Sequence, residues 1–270
     1  GGRGSSEAWV HVLPIPDTYR RPTIDYSAEA REGMKQAGPL AGLLIESMLS
    51  CAGQVPLPPS YFPEVASAVR NQGGILIADE VQVGFGRVGT HMWAFQESGV
   101  TPDIVVMGKP IGNGHPLAAV FTTSKIASSF GGMEFFSTFG GNPVSCAIGM
   151  AVMDVIEKEG LMNRAHVLGE RFKDGLNSLM QEHELIGDVR GRGLFLGVEM
   201  VKDRSTLEPA AMEASEIVGK MRDQGVLLST DGPLHNVIKI KPPMVLNHDD
   251  VDQTLSKLQN CLSVVRRNKA

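Results

Sequence analysis

The sequence predicts an α/β fold in which a mostly parallel sheet is followed by a smaller α/β unit. Two observations carry this prediction. Short apolar, branched segments alternate with helical patterns as far as residue 142, and longer amphipathic helices dominate the remainder. With 42% hydrophobic and 20% charged residues over 270 positions, the composition is that of a folded globular chain with a substantial core.

Five apolar segments, each bounded by turn residues, are predicted to form buried strands. They cover residues 9–15, 40–45, 74–78, 103–107 and 117–122. Helical patterns lie between them at residues 61–71 and, more weakly, at 92–98. The first of these helices has Pro58-Pro59 before it and Gly73-Gly74 after it, the usual asymmetry of helix ends. Such alternation favours parallel βαβ units, whose ligands gather at the carboxyl ends of the strands.

The pattern changes near Asn142, where a long amphipathic helix over residues 143–159 begins. The remaining elements form the predicted second unit. They are helices at 162–183, 209–224 and 248–267, a strand pair around 188–200, and strands at 226–229 and 237–240. We therefore divide the chain into a large domain over residues 1–158 and a small domain over residues 159–270.

Charge and cysteine content exclude several classes of protein. Asp and Glu number 30 against 25 Lys and Arg, so the net charge is -5 and offers no electrostatic footprint for nucleic acid or an anionic membrane. No run approaches the roughly 18 apolar residues of a membrane span. The three cysteines are too scattered for a disulfide framework or a metal finger, which favours a reducing compartment and predicts no metal site.

Lys109 is the first candidate catalytic residue. It follows a predicted buried strand inside a glycine-rich bend formed by Gly108, Gly112 and Gly114. A partly desolvated amine is a nucleophile that can form a Schiff base with a carbonyl group, and the glycines leave room for a planar ring. The alternative interpretation is an ordinary surface lysine at a loop entrance.

Asp79 is the second candidate, because it ends the strand at residues 74–78. Burying a carboxylate there is costly unless a cation pairs with it, and the pyridinium nitrogen of pyridoxal phosphate is such a cation. A protonated ring nitrogen makes that ring an electron sink. The alternative is a carboxylate satisfied by loop amides, but Asp79 and Lys109 together favour a pyridoxal phosphate site.

A competing motif runs from Gly84 to Gly89 and matches the G-x-G-x-x-G pattern of dinucleotide-binding turns. Its context is poor. Asp79 and Glu80 stand between the strand and the first glycine, where they would repel a pyrophosphate, and no acid closes the next strand. The sequence therefore argues against a nicotinamide or flavin site.

Three motifs resemble the class III pyridoxal-phosphate-dependent aminotransferase family. They lie at residues 77–87, 102–109 and 137–143, and the resemblance covers nearly the whole chain. It implies a PLP fold type I enzyme with pyridoxal 5'-phosphate as cofactor and Lys109 as the Schiff-base lysine. It further implies that Asp79 partners the ring nitrogen, Val81 packs on the ring and Gln82 reaches the ring hydroxyl. Thr138 would bind the cofactor phosphate of a neighbouring subunit, which implies a homo-oligomer, a dimer or a tetramer.

Within the family, residues 11–20, 107–116, 228–233 and 239–244 resemble the phospho-lyase branch. Here Lys239 takes the place of the arginine that grips a substrate carboxylate in aminotransferases, and Cys51 that of its glutamate partner. A lysine suits a phosphate as well as a carboxylate, so Lys239 is a candidate substrate-binding residue, the alternative being a solvated strand-end lysine.

The function that the resemblance implies is elimination of phosphate from a phosphorylated amine: ethanolamine phosphate yields acetaldehyde, ammonia and phosphate. The alternatives are 5-phosphohydroxy-L-lysine as substrate, or a class III aminotransferase that transfers the amino group to a keto acid. The resemblance also implies mitochondrial residence, with the cytoplasm as the alternative.

The resemblance is incomplete at the N-terminus. The family's Ser-Gly-Ser/Thr-Glu-Ala turn, which binds the cofactor phosphate, and the aromatic residue that stacks on its ring have no counterpart in this sequence. We therefore expect an incomplete large domain and weak retention of pyridoxal phosphate by the chain alone. A hypothesis of another class follows: a non-catalytic truncated form that acts only as an oligomer partner.

Overall fold

The computed structural model describes residues 7–267, with side chains through residue 265. Residues 1–6 of the predicted large domain and 268–270 of the predicted small domain lie outside the described residues. The described chain forms two sheets, each with its own helices and its own apolar core. No helix within residues 7–267 combines the length and apolar character needed to cross a membrane.

The first sheet has four strands in the order β1-β2-β3-β4, with β1, β2 and β3 parallel and β4 antiparallel to β3. The strands are β1 (Gly42–Glu46), β2 (Ile75–Asp79), β3 (Ile104–Met107) and β4 (Ala119–Thr122). Two helices, α1 (Tyr26–Ala37) and α2 (Tyr61–Asn71), pack beside β1 and β2. The mostly parallel sheet is therefore confirmed, with four strands and not five.

The helix α2 forms where the sequence predicts it because its apolar side chains recur at helical spacing. Tyr61, Phe62, Val65, Ala66 and Val69 are all buried on the face toward the sheet. The helix α1, in contrast, falls in a stretch for which the sequence predicted no element. Its start carries a recognisable cap, since the Asp25 carboxylate accepts the Ala28 N–H at 2.9 Å.

The predicted strand at residues 9–15 is wrong, because this segment has no strand partner in the described structure. Most of its apolar side chains are exposed: Trp9 is 78% and Val12 is 82% exposed, whereas Leu13 packs against the core of the first sheet. Pro14 and Pro16 lack the N–H that a ladder requires, which opposes strand pairing at its end. An apolar, branched composition alone therefore does not make this segment a strand.

Within residues 94–158, one 3₁₀ helix precedes β3, and a second 3₁₀ helix and two α-helices follow it along the chain. A 3₁₀ helix over Lys109–Gly112 comes directly after β3, and α3 (Ser124–Phe130) follows β4. The helix α4 (Pro143–Lys158) starts as predicted, with proline at its first position and the Asn142 side chain accepting the N–H of Val144 and Ser145. The predicted helix at residues 92–98 is a 3₁₀ helix over Ala94–Ser98, ended by Gly99 in the left-handed region.

The second sheet is antiparallel, in the order β5-β6-β9-β8, with β7 pairing with β6. Its elements are α5 (Leu161–Glu182), β5 (Ile186–Arg192), β6 (Phe195–Asp203), β7 (Glu208–Pro209), α6 (Ala211–Asp223), β8 (Ser229–Asp231), β9 (Val237–Ile240) and α7 (His248–Arg267). The strand predicted at 226–229 is shifted to β8, because the Val226 N–H is bonded to the Met221 carbonyl at the end of α6. The predicted domain boundary at residues 158 and 159 falls at the end of α4 and stays a prediction.

Close backbone contacts join the two sheets. A side chain at Gly89 would place its Cβ 2.6 Å from the His166 Cα, and one at Gly193 would lie 2.5 Å from the Arg87 carbonyl oxygen. The Arg87 guanidinium donates to the Leu194 and Pro242 carbonyls at 3.0 and 2.9 Å. Burial lowers the pKa of this arginine. The glycine-rich loop therefore serves as packing surface between the two units, and Arg87 serves a structural role.

Candidate active site

Asp79 and Lys109 lie at the carboxyl ends of two neighbouring parallel strands. Asp79 is the last residue of β2 and is paired in register with Val106 of β3. Lys109 follows three positions after Val106, at the start of the 3₁₀ helix. The sequence prediction that these residues share one edge of the sheet therefore agrees with the strand pairing.

Lys109 adopts an uncommon backbone conformation with φ +33°. A non-glycine residue in this region carries a cost of about 1–3 kcal/mol and is found preferentially at functional sites. Its side chain is exposed, so the partial desolvation expected from the sequence is not found in this structure. The bend thus fixes the direction in which the lysine leaves the sheet but does not bury its amine.

The Asp79 carboxylate is half-buried and accepts the N–H of Val81 through Oδ1 at 2.9 Å. It lines an open cavity of about 1020 Å³ that extends along β1 beneath residues 8–16. Lys109 is not among the residues that line this cavity. The carboxylate is therefore accessible from the strand-end side, held in place by a loop amide.

The segments that follow the two strands touch each other. A Cβ added at Gly108 would lie 3.3 Å from Val81 Cγ1, tighter than most real contacts. Glycine at position 108 therefore lets the loop carrying Lys109 approach the loop that follows Asp79. This contact places Val81, predicted to pack on the cofactor ring, directly beside the lysine loop.

Gln82 connects the first sheet to a lysine of the second. Its amide nitrogen donates to Ser50 Oγ at 2.6 Å and lies 3.7 Å from Cys51 Sγ. Its amide oxygen accepts a hydrogen bond from Lys241 Nζ at 2.8 Å. The same ammonium group lies 4.3 Å from the centroid of the Phe195 ring, a cation–π contact. The structure therefore brings Gln82 and Cys51, both singled out from the sequence, together with a lysine that was not.

Lys239 lies next to this cluster and is already paired. Its Nζ is 3.1 Å from Asp231 Oδ2, which also accepts a hydrogen bond from Gln54 at 3.3 Å. These donors lower the pKa of Asp231 against the opposing effect of its burial. The charge of Lys239 is thus balanced by a carboxylate, and its predicted contact with the substrate stays a prediction.

Thr138 lies in an exposed turn between α3 and α4. Its neighbours Phe136 and Phe139 are 84% and 82% exposed. This exposure is compatible with the predicted role toward a neighbouring subunit, because large apolar side chains on a surface mark contact sites. That role stays a prediction.

The dinucleotide interpretation of residues 84–89 finds no support in the site. Glu80 is buried, and its carboxylate oxygens accept the N–H groups of Ala94 and Phe95, both at 2.9 Å. Burial raises the pKa of Glu80, although these hydrogen bonds oppose the shift. A pyrophosphate in front of the first glycine would therefore lie close to the buried Glu80 side chain, which makes this loop a poor phosphate-binding turn.

Lys241 is the site residue that the sequence reasoning missed. A signal was present, because Lys239 and Lys241 are separated by one residue at the end of a strand and such residues point to the same side. Its contact with Gln82 could not be predicted, since the two residues are 159 positions apart.

The side chains at this edge fit pyridoxal phosphate. The Asp79 carboxylate suits the cationic ring nitrogen, and the Lys109 amine suits the aldehyde. Glycine at position 108 leaves no side chain between the two loops. Asp79 and Lys109 would hold opposite ends of the ring, and Val81, which follows Asp79, lies beside the loop that carries Lys109.

Comparison with known proteins places these residues in context. The model of the class-III aminotransferase family matches residues 3–262. An alanine–glyoxylate aminotransferase 2-like protein of Drosophila melanogaster is 47% identical over 100% of this chain and 58% of its own length. An ethanolamine-phosphate phospho-lyase homolog of Caenorhabditis elegans is 40% identical over 99% of this chain and 62% of its own length. The chain therefore spans about three fifths of the length of these relatives.

A solved structure has the same fold. The phospholyase from Arthrobacter in complex with phosphoethanolamine superimposes with a TM-score of 0.87 at 38% identity, over 93% of this chain and 63% of that one. This match confirms the predicted α/β fold of PLP fold type I. The family's cofactor is pyridoxal phosphate. On the evidence of the matched residues and the shared fold, the chain belongs to the class-III aminotransferase family of pyridoxal-phosphate-dependent enzymes.

Proposed function

We propose that the protein eliminates phosphate from a phosphorylated amine in a pyridoxal-phosphate-dependent reaction, with ethanolamine phosphate as the substrate. One observation carries the proposal. The strand that ends at Asp79 is followed by Gln82, and Gln82 accepts a hydrogen bond from Lys241 of the second sheet, two residues after Lys239, where an aminotransferase would use a single arginine. Lysines suit a phosphate as well as a carboxylate.

Pyridoxal phosphate, when bound, supplies an aldehyde that condenses with the substrate amine and a ring that accepts an electron pair. The Asp79 carboxylate would keep the ring nitrogen protonated. The Lys109 amine would remove a proton from the carbon that bears nitrogen, as a general base. The carbon–oxygen bond at the next carbon would then break, and phosphate would leave with the bonding electron pair. The Lys109 amine would take back the place of the substrate nitrogen and so release an enamine, which water would hydrolyse to acetaldehyde and ammonia.

The other predicted roles belong to this proposal as well. Val81 would pack on the ring, Gln82 would reach the ring hydroxyl, and Lys239 would contact the substrate. Thr138 would bind the cofactor phosphate of a neighbouring subunit, so the active form would be a homo-oligomer. Mitochondrial residence is supported by relatives from Arabidopsis thaliana and Homo sapiens whose names include the word mitochondrial.

A second candidate is amino-group transfer to a keto acid, because the Drosophila relative is named as an aminotransferase-like protein. Both reactions share the proton removal by Lys109, so that residue cannot distinguish them. The residues that hold the leaving group of the substrate can distinguish the two reactions, and in this proposal those residues are lysines. 5-Phosphohydroxy-L-lysine is a third candidate substrate, which would use the same residues.

The test supplies the chain with saturating pyridoxal phosphate and measures inorganic phosphate released from phosphoethanolamine and from phosphohydroxylysine. A parallel reaction contains pyruvate or glyoxylate as amino acceptor. We expect phosphate and acetaldehyde from phosphoethanolamine without any keto acid. Amino transfer that depends on the keto acid, without phosphate release, would overturn the lyase assignment. Release only from phosphohydroxylysine would change the substrate and retain the reaction.

The Lys109→Ala variant should lower phosphate release by about 10²–10⁴-fold, because the general base is lost. Borohydride reduction should attach the cofactor to Lys109 in the parent chain, as mapped by peptide mass spectrometry. Lys125→Ala is the matched control, since this exposed lysine lies in α3 away from the strand ends. Absence of both turnover and cofactor attachment in the parent chain would favour the non-catalytic oligomer-partner hypothesis.

A further inference from the structure

The ammonium group of Lys241 has only neutral direct partners in the described structure. Its hydrogen-bond acceptor is the Gln82 amide oxygen at 2.8 Å, and its other close neighbour is the face of the Phe195 ring. Among the side chains described through residue 265, no carboxylate lies within 4.0 Å of it. A lysine ammonium has three donors, so this group retains hydrogen-bonding capacity as well as an unbalanced charge.

Lys239, two residues earlier, differs in this respect. Its ammonium is paired with Asp231 at 3.1 Å, and Asp231 is further engaged by Gln54. The lysine named from the sequence therefore has its charge balanced within the protein. The positive charge left over at this end of β9 is that of Lys241.

The protonation state of Lys241 is also unusual. Burial, and next the charge of Lys239, lower the pKa of Lys241 to about 8. The charged or titratable groups around it that oppose this shift are Asp231, Cys51 and Glu46. A half-buried cation in this state is stabilised by an added anion, because the anion restores the missing charge partner.

The position of Lys241 connects it to the rest of the site. Gln82 lies three residues after Asp79. Its amide oxygen accepts the hydrogen bond from Lys241, and its amide nitrogen donates to Ser50. Lys241 therefore approaches the cofactor edge of the first sheet from the second sheet, on the side where Cys51 stands. A substrate group that extends past Gln82 toward the second sheet would approach this ammonium.

We propose that Lys241 is the principal contact for the phosphate of the phosphorylated amine and that Lys239, held by Asp231, makes the weaker contact with the substrate. This inference rests on the proposed function and deepens it, because it names the residue that selects a phosphate over a neutral hydroxyl group. The phosphate dianion would accept charge-assisted hydrogen bonds from the Lys241 N–H groups that Gln82 does not use.

The test measures equilibrium binding of phosphoethanolamine, ethanolamine and inorganic phosphate to the full 270-residue chain by calorimetry and ³¹P NMR. We expect Lys241→Gln to weaken binding of phosphoethanolamine and phosphate by about 10- to 100-fold, since a charged hydrogen bond is lost. Lys241→Arg should retain most of the affinity. Lys202→Gln is the matched control, because Lys202 is an exposed lysine paired with Glu208 on the far strand β7.

The pH dependence gives a readout that a purely structural lysine would not move. Phosphate groups are dianionic above about pH 7, so a further loss of affinity between pH 8 and 9.5 reports the lysine. Above its pKa of about 8, Lys241 is increasingly neutral, so affinity should fall over this interval in the parent chain. Lys241→Arg should abolish the decline, because arginine stays charged.

Several results would overturn the inference. These are equal affinity for phosphate in Lys241→Gln and the parent, a larger loss in Lys239→Gln than in Lys241→Gln, or no phosphate binding by the parent. If Lys241→Gln does not fold, as judged by circular dichroism, the pH profile of Lys241→Arg decides. Unchanged phosphate release by Lys241→Gln rejects the inference and leaves the proposed function intact. Phosphate binding that depends on Lys241, without phosphate release from phosphoethanolamine, would support the inference and reject the proposed function.

Discussion

The two sheets differ in how completely they bury their own apolar residues. The C-terminal sheet packs against α5, α6 and α7 around a large core that includes Phe172, Leu196 and Ile217, all less than 2% exposed. The first sheet is open by comparison. Leu44 of β1 and Val120 of β4 are each 64% exposed, and these strands form its two edges.

This difference follows from topology. An antiparallel sheet with helices on one side closes its core from segments that are near in sequence, whereas parallel strands need cover on both faces. The open sheet is the one that carries Asp79 and Lys109, and the closed one contributes Lys239 and Lys241 at its rim. The C-terminal unit thus has a closed apolar core, whereas the first sheet leaves the edge with the candidate residues accessible.

The largest effect should come from the closed core. Phe172→Ala removes a 1% exposed ring from α5 and should cost about 3–5 kcal/mol of unfolding free energy, because a cavity remains. Urea denaturation followed by circular dichroism measures this. A loss below about 1 kcal/mol would mean that the C-terminal core is not the tightly packed part of the molecule.

An intermediate effect is expected at the contact between the two regions. Gly89→Ala would force a Cβ to within 2.6 Å of the His166 backbone, at φ +84°. Gly73→Ala is the matched control, with φ +81° and nothing within 4 Å. Backbone strain should cost about 1–2 kcal/mol in both variants, and the clash should add about 1–3 kcal/mol to Gly89→Ala alone.

The same urea titration compares the two glycine variants. Equal stability would show that the regions can separate slightly without cost, which would contradict a fixed contact at Gly89. A second, earlier unfolding transition confined to Gly89→Ala would instead show that this contact couples the two sheets.

The smallest effect is expected on the open face. Leu44→Ala should change the unfolding free energy by no more than about 0.5 kcal/mol, because the side chain is mostly exposed already. Leu76→Ala, in the neighbouring strand and 0% exposed, should cost about 2–5 kcal/mol. Thermal unfolding of the pair provides the measurement, and a comparable loss in both variants would mean that Leu44 is covered in solution.

Elements with local signals could be predicted. The proline and glycine around α2, and Asn142 with Pro143 at the start of α4, fixed these helices because caps and periodicity act within a few residues. The failure at residues 9–15 has the opposite cause. Whether an apolar segment becomes a strand depends on a partner with free N–H and C=O groups, and that is a property of the assembled sheet.

The family motifs were sufficient to predict the fold and the cofactor. They also predicted that Asp79 and Lys109 follow neighbouring strands, where the ligand edge of a parallel sheet lies. Only the tertiary structure decided what surrounds them. It turned the G-x-G-x-x-G loop into a packing surface, paired Lys239 with Asp231, and brought Lys241 to Gln82 from 159 positions away. Such contacts depend on how two sheets are docked, and no local pattern in the chain encodes that distance.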